Sequence, residues 1–357
     1  MRTSRTLWNA ERWLRRGLQL TVIVGLAAAV FMPPESHAQD KVLNLYSARH
    51  YQTDDALYAN FTKQTGIKIN RIELGDEPLL QRLKTEGANS PADVVLLVDA
   101  ARLWRAQIEG AFQPIQSKVL EQRIPANLRA NDGSWFGFST RARAIVYDKS
   151  RLKASDVDTY EKLADPKLKG MVCTRSGSHP YMLSLIGAMI EHHGAAKAEE
   201  WARAVVANMA RPPRGGDTDQ IRGVASGECG VAVTNSYYWV RIVRSTDAKD
   251  RDVVNKAGFV WPNQATTGTH VNISGGGVAK HSPNKANAVA FLEYLSSPQA
   301  QTYFADGNNE WPVVKGAVTT NEALMGLGVP KFENVSVSTI GKNQIVAQRI
   351  LDRVGYR

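Results

Sequence analysis

Cysteine is scarce in this 357-residue chain, which holds only Cys173 and Cys229. No CxxC pair and no HExxH helix occurs, so the common zinc-ligand patterns are excluded. Gly275-Gly276-Gly277 leads into Ala279-Lys280 and not into GK[ST]. That excludes a phosphate-cradling loop and leaves a close-packed strand or bend. A GxSxG nucleophile elbow is missing, and the His and Asp residues show no triad-like spacing. Internal repeats, low-complexity tracts and long linkers are absent as well. Lys and Arg outnumber Asp and Glu by ten. The positive charges are scattered, however, with no basic run interleaved with aromatics, so they read as solvated surface and nucleic acid is excluded as a partner.

What is present begins with an export signal. Arg12, Arg15 and Arg16 form a basic region, and Leu18 to Met32 is an apolar run of 15 residues, short for spanning a bilayer. Pro33 and Pro34 break any helix, and Ser36-His37-Ala38 offers the small residues a signal peptidase reads. Cleavage after Ala38 is expected, placing the mature chain in the periplasm. No Cys lies near that point to carry a lipid anchor, and Arg15-Arg16 is followed by a poor match to a twin-arginine signal. Removing residues 1–38 takes away five Arg and two Glu, lowers the net charge from +10 to +7, and leaves 319 residues. A chain of that length exceeds what one core usually serves, so two lobes are expected.

Strands and helices alternate from the start. Val42 to Tyr46 reads as a strand, and Thr53 or Asp54 caps a helix carrying Leu57, Tyr58 and Phe61 that ends at Gly66. Ile67, Ile69 and Ile72 alternate as a second strand. Pro78 to Lys84 looks helical, and Ala92 to Leu97 is an apolar strand of the parallel-sheet kind. This β-α-β-α-β order opens a doubly wound α/β lobe. Ser139 to Arg141 reads as a first crossover between lobes, Val260-Trp261-Pro262 as the return, and Ile273 to Ala279 as a strand of the first lobe. Lys169 to Arg175 is expected as a strand. Helices follow at Asn284 to Leu295, from Ser297 to about Phe304, and from Asn343 to Val354.

Tyrosines recur where strands give way to helices. Thr234-Asn235-Ser236-Tyr237-Tyr238-Trp239 follows the apolar strand Gly230 to Val233, with Asn235 or Ser236 as a side-chain cap for the helix. Adjacent residues in a helical turn diverge by only about 100°, so Tyr237 and Tyr238 can face one cleft at the carboxyl end of a strand. Tyr181 takes a first turn after Ser178 or His179 as cap and Pro180 as first helical residue. His50 and Tyr51 stand at the first such junction. Each tyrosine alone would be an ordinary packing aromatic; the recurrence is the functional signal. Glu191-His192-His193 before Gly194 reads as a dipole-favoured helix end and not as a metal pair. Cys173 and Cys229 each precede a tyrosine junction, and in an oxidising compartment two cysteines so placed are expected to form a disulfide.

These stretches resemble the periplasmic ferric-iron-binding proteins of ABC transporters, the transferrin-like bacterial iron carriers, in their tyrosine-rich branch. The resemblance rests on Tyr46-Ser47-Ala48-Arg49-His50-Tyr51, Ser139-Thr140-Arg141-Ala142-Arg143, Cys173-Thr174-Arg175-Ser176-Gly177, Asn235-Ser236-Tyr237-Tyr238, Ser296-Ser297-Pro298-Gln299-Ala300-Gln301 and Asn309-Glu310-Trp311-Pro312-Val313. It implies a type II two-lobed solute-binding fold, with residues 39–139 and about 264–310 in one lobe and 140–263 and about 311–357 in the other. It also implies Fe³⁺ as transported ligand, a synergistic anion, an inner-membrane permease as partner, a monomeric state and no catalysis. Residue by residue it carries over Tyr51, Tyr181, Tyr237 and Tyr238 as iron ligands, His50 as an optional ligand, and Arg141 and Arg241 as charges behind the ligands. Four phenolates around one Fe³⁺ leave a net negative charge that Arg141 or Arg241 would offset. Two other functions fit the same residues: a carrier of an organic solute such as thiamine or a polyamine, with tyrosines as stacking faces, and an iron-phenolate enzyme. The second lacks a candidate general base beside the tyrosines other than His50.

Overall fold

Short β-branched and leucine-rich runs early in the chain become parallel strands; Val94–Val98 is buried on both faces, whereas Lys68–Glu73 at the sheet edge stays mostly exposed. In the computed structural model, residues 41–49 and 51–357 are described; the export signal, its cleavage point and His50 lie outside the described residues. Strand β1 (Val42–Ser47) pairs in parallel with β2 (Lys68–Glu73) and with β3 (Val94–Val98). The connecting helix Asp54–Thr65 turns Leu57, Tyr58 and Phe61 into the core and stops at Gly66, whose φ of +72° few side chains accept. Asp54 and Asp55 in its first turn and Lys63 in its last suit the helix dipole.

The long strand β4 (Phe136–Asp148) joins two sheets. The sheet order is β2, β1, β3, β8 (Val271–Val278), β4, β6 (Val231–Asn235) and β5 (Val172–Cys173), with β7 (Ala257–Val260) and β9 (Trp311–Pro312) also pairing to β4. Phe136 to Ala142 bonds to β8 (Val271–Val278), which runs antiparallel to β3 as well. From Arg143 onward the same strand bonds to β6 (Val231–Asn235) and to β7 (Ala257–Val260). Two sizeable cores flank this shared strand. One gathers Leu43, Leu45, Phe61, Val95, Phe138, Ile273 and Phe291. The other gathers Ile145, Val172, Leu185, Trp201, Val233 and Ile350. A smaller cluster around Ile221, Trp239 and Ile242 contains Cys173 and Cys229, which are bonded to each other across 56 residues. Among the described residues, no helix is long and apolar enough to cross a membrane.

The triple glycine lies inside β8, in keeping with a close-packed strand. A Cβ on Gly275 would overlap the Phe136 carbonyl, one on Gly276 the Val95 carbonyl, and one on Gly277 the Ser134 carbonyl. Backbone cannot retreat from such an overlap as a flexible side chain does. Gly277→Ala is therefore expected to cost about 1–3 kcal/mol or more in chemical denaturation. An unchanged midpoint would show that the strand has room there.

Two expected elements differ in extent. The strand Lys169 to Arg175 shrinks to β5 (Val172–Cys173), because a turn over Pro166–Leu168 precedes it and Gly170 at φ +72° reverses the chain. The helix that begins after Ser297 runs to Asn308, beyond Phe304, and ends where Asn309 takes a left-handed conformation. Ser297 caps it through a bond accepted from the Ala300 N–H.

Candidate ligand site

Strand periodicity puts Ser139, Arg141 and Arg143 on one face of β4, and both guanidinium groups are buried. A buried cation requires a partner, and each has one. Arg141 Nη2 donates to Glu310 Oε1 at 2.6 Å, and Arg143 Nη1 donates to Asp217 Oδ2 at 2.7 Å. Ser139 Oγ donates to Glu310 Oε2 at 2.6 Å. Arg49 joins from the end of β1, forked onto Asp54 at 2.8 and 3.1 Å, with Nη1 3.5 Å from Glu310. The pairs Arg49–Asp54 and Arg141–Glu310 are thus electrically balanced. Arg143 and Arg175 share the single Asp217, at 2.7 and 3.8 Å, so that corner keeps an excess positive charge.

The tyrosines converge on this charged floor. Tyr181 opens the helix Pro180–His193, where His179 is the N-cap and its Nδ1 accepts from the Tyr181 N–H at 3.2 Å. Tyr237 and Tyr238 lie in the first turn of the helix Ser236–Val243, directly after β6. The Tyr181 and Tyr237 hydroxyls are 3.1 Å apart. The Tyr51 ring stands edge-on to Tyr237 with centroids 6.5 Å apart, and its hydroxyl donates to Glu310 Oε1 at 3.4 Å. Tyr238 packs on Tyr237 at 4.2 Å between centroids. Asn235 occupies the N-cap position, but its side chain does not cap; Oδ1 accepts from Arg143 at 3.0 Å instead. Ser236 Oγ is likewise engaged, accepting from the Ala142 N–H at 3.4 Å. The buried arginine competes successfully for the amide, leaving the helix N-terminus open toward the phenols.

Cations also face the rings. Arg141 lies 5.5 Å from the Tyr237 centroid, Arg49 4.9 Å from Tyr51, and Arg143 and Arg175 each 5.6 Å from Tyr181. Arg241, exposed, lies 5.2 Å from Tyr238 and 5.9 Å from Tyr237. Burial pushes the Tyr51, Tyr181 and Tyr237 phenols above their ordinary range, each raised further by neighbouring phenols, with Arg141 pulling the other way. Burial, together with Arg175, Arg143 and Arg102, lowers His179 to about 3, so it is a neutral cap. Arg141 Nε and Nη1 are buried without a hydrogen-bond partner among the described residues. The site thus combines protonated phenols crowded within contact distance with idle guanidinium donors.

Tyr51, Tyr181, Tyr237 and Tyr238 therefore come together, with Arg141 and Arg241 beside them, while His50 lies outside the described residues. Sequence reasoning missed the carboxylates. Glu310 stood inside a recognised stretch without a role, and Asp217 was not singled out. The signal lay in Arg141 and Arg143 two residues apart on a strand: same-face cations entering a core demand two acidic partners.

Residues 56–325 match the family model described as bacterial extracellular solute-binding protein. This chain belongs to the bacterial extracellular solute-binding proteins. Among relatives of this solute-binding protein, iron uptake protein A2 of Synechocystis sp. is 45% identical over 343 residues, 96% of each chain. A major ferric iron-binding protein of Neisseria meningitidis is 26% identical, covering 88% of this chain and 93% of its own. Among solved structures, Trichodesmium FutA in complex with iron and citrate superposes with a TM-score of 0.86 at 52% identity, covering 88% of this chain and all of that one. The type II arrangement of such neighbours agrees with the α/β fold expected from the sequence.

Proposed function

We propose that this solute-binding protein captures Fe³⁺ with the phenolate oxygens of Tyr51, Tyr181, Tyr237 and Tyr238, with His50 as a further ligand. It does so in the periplasm, as a monomer, and delivers the ion to an inner-membrane ABC permease without catalysing a reaction. The observation that carries the reading is the 3.1 Å approach of the Tyr181 and Tyr237 hydroxyls beside Tyr51, over a floor of arginines. Fe³⁺ is a hard cation and phenolate a hard anionic oxygen donor. A phenol with a pKa near 10 loses its proton at neutral pH only when a strong cation takes that place. Relatives named for iron uptake and for ferric iron, and a neighbour holding iron and citrate, support the same ion.

In this reading Tyr51 belongs to the lobe built on β1 and the other three tyrosines to the second, with boundaries near residues 139, 263 and 310. Closure on the ion then joins the lobes and makes the surface a permease reads. The unpartnered Arg141 donors supply either phenolate oxygens or a synergistic anion. The test is a ferric titration of the apo protein followed in the visible range. A phenolate-to-iron charge-transfer band saturating at one equivalent is expected. A colourless titration would make these residues packing or stacking groups.

A further inference from the structure

Glu310 is held from every side. Asn309 before it takes φ +60° and is pinned by Arg244 at 2.6 Å and Asn321 at 2.8 Å. The Glu310 N–H closes the preceding helix on the Phe304 carbonyl, and Trp311–Pro312 after it pairs with β4. Its carboxylate is 0% exposed and fully engaged: Oε1 by Arg141 and Tyr51, Oε2 by Ser139 and Arg49. None of the four proposed tyrosine ligands is a carboxylate, yet this one touches the Tyr51 hydroxyl and the arginine that faces three of the phenols.

We propose that Glu310 is a positioning residue that sets ferric affinity downward, so that a site of hard anions can still surrender its ion. Two effects act together. The carboxylate neutralises Arg141, the buried cation best placed to stabilise phenolates, and so withholds one positive charge from the ligand cluster. It also accepts the Tyr51 hydroxyl bond, which must break before that oxygen turns to a metal. On capture the Tyr51 proton leaves to solvent, the O–H bond is replaced by an oxygen–iron bond, and Glu310 Oε1 keeps Arg141 alone. On release the reverse steps restore a ready-made partner for the hydroxyl. Arg49 does not change the balance, because it is already forked onto Asp54.

The inference rests on the ferric reading, and the experiment separates the two. Ferric affinity is measured at one fixed pH by competition with citrate in the parent, E310Q, R141Q and R141Q/E310Q, with band position and thermal unfolding recorded for each. E310Q keeps the shape and a hydrogen bond to Arg141 but frees its charge. It is expected to bind Fe³⁺ on the order of ten- to a hundred-fold more tightly, the size of a unit charge acting across a few ångströms of protein. R141Q is expected to weaken binding by a similar factor. The double variant, with the net charge of the parent, should return to within a few-fold of it, a result that a purely structural ion pair would not give. A folded E310Q that binds no more tightly than the parent overturns the inference. Should E310Q fail to fold, a double variant no tighter than R141Q overturns it equally. A parent without a band overturns the ferric reading and this inference with it.

Discussion

Phenylalanine at Tyr237 is expected to lower ferric affinity by more than about a hundredfold, since losing even an outer-shell partner costs a metal site ten- to a hundred-fold. The residual charge-transfer band should also shift. Tyr237 is the centre of the cluster, touching Tyr181 through its hydroxyl, Tyr51 edge-on and Tyr238 face-on. The substitution keeps the ring, which is 2% exposed, and removes only the oxygen, so the fold should persist. Tyr181→Phe should act nearly as strongly, because it deletes the other half of the 3.1 Å hydroxyl pair. Tyr51→Phe removes the ligand that stands on Arg49 at 4.9 Å and should in addition slow closure. Titrated at several pH values, the parent should release protons on uptake. Its affinity should fall as pH drops, because burial holds these phenols protonated and each must ionise to bind. A band indifferent to all of Tyr51→Phe, Tyr181→Phe, Tyr237→Phe and Tyr238→Phe would remove the tyrosines from the site.

Opening the disulfide is the second large effect. Replacing Cys173 and Cys229 together by Ser releases a closure spanning 56 residues. In the chain-entropy account a loop of that size is worth about 4 kcal/mol, less any native strain. Both sulfurs sit in the cluster with Ile221, Val224 and Trp239, and a Cβ on Gly223 would come within 2.9 Å of the Cys229 sulfur, so packing adds to the loss. Chemical denaturation of oxidised parent and double variant should show that gap, and thiol counting on denatured, unreduced parent should find none free. Two free thiols, or equal midpoints, would contradict the brace. The ferric band should survive in the folded double variant, because Tyr51, Tyr181 and Tyr237 are not part of the cluster that holds the sulfurs, although Tyr238 packs against it.

The tyrosines that the structure brings together were legible because each announces itself locally. A tyrosine in the first turn after a buried strand can be read from Pro180-Tyr181 or Asn235 to Tyr238 alone, since cap, proline and apolar run are neighbours in the chain. The alternation in β2 and the unbroken apolar run of β3 were equally visible, because both are properties of a few adjacent residues. What stayed hidden was long-range electrostatics. Glu310 meets Arg141 across 169 residues, and Asp217 meets Arg143 across 74. No local pattern names such partners, although the paired arginines showed that carboxylates were owed. The Asn235 cap illustrates the same limit. Its amide or the Ser236 hydroxyl was expected to cap the helix, but the amide serves Arg143, because satisfying a buried cation outweighs one helix-end bond, and Ser236 accepts from Ala142. The β5 strand fell short for a simpler reason, the turn imposed by Gly170.

The shared strand β4 has a mechanical consequence. Up to Ala142 it is stitched to β8, and from Arg143 to β6. Arg141 is therefore tied to the β8 side and to Glu310, and Arg143 to the β6 side and to Asp217. The change of partner strand falls within a two-residue interval of continuous backbone, with a paired arginine on each side. In the proposed closure such a site would act as a split socket, each half holding a buried arginine with a carboxylate partner of its own. A rotation at this interval would change the distance between the two guanidinium groups while leaving each arginine on its own carboxylate.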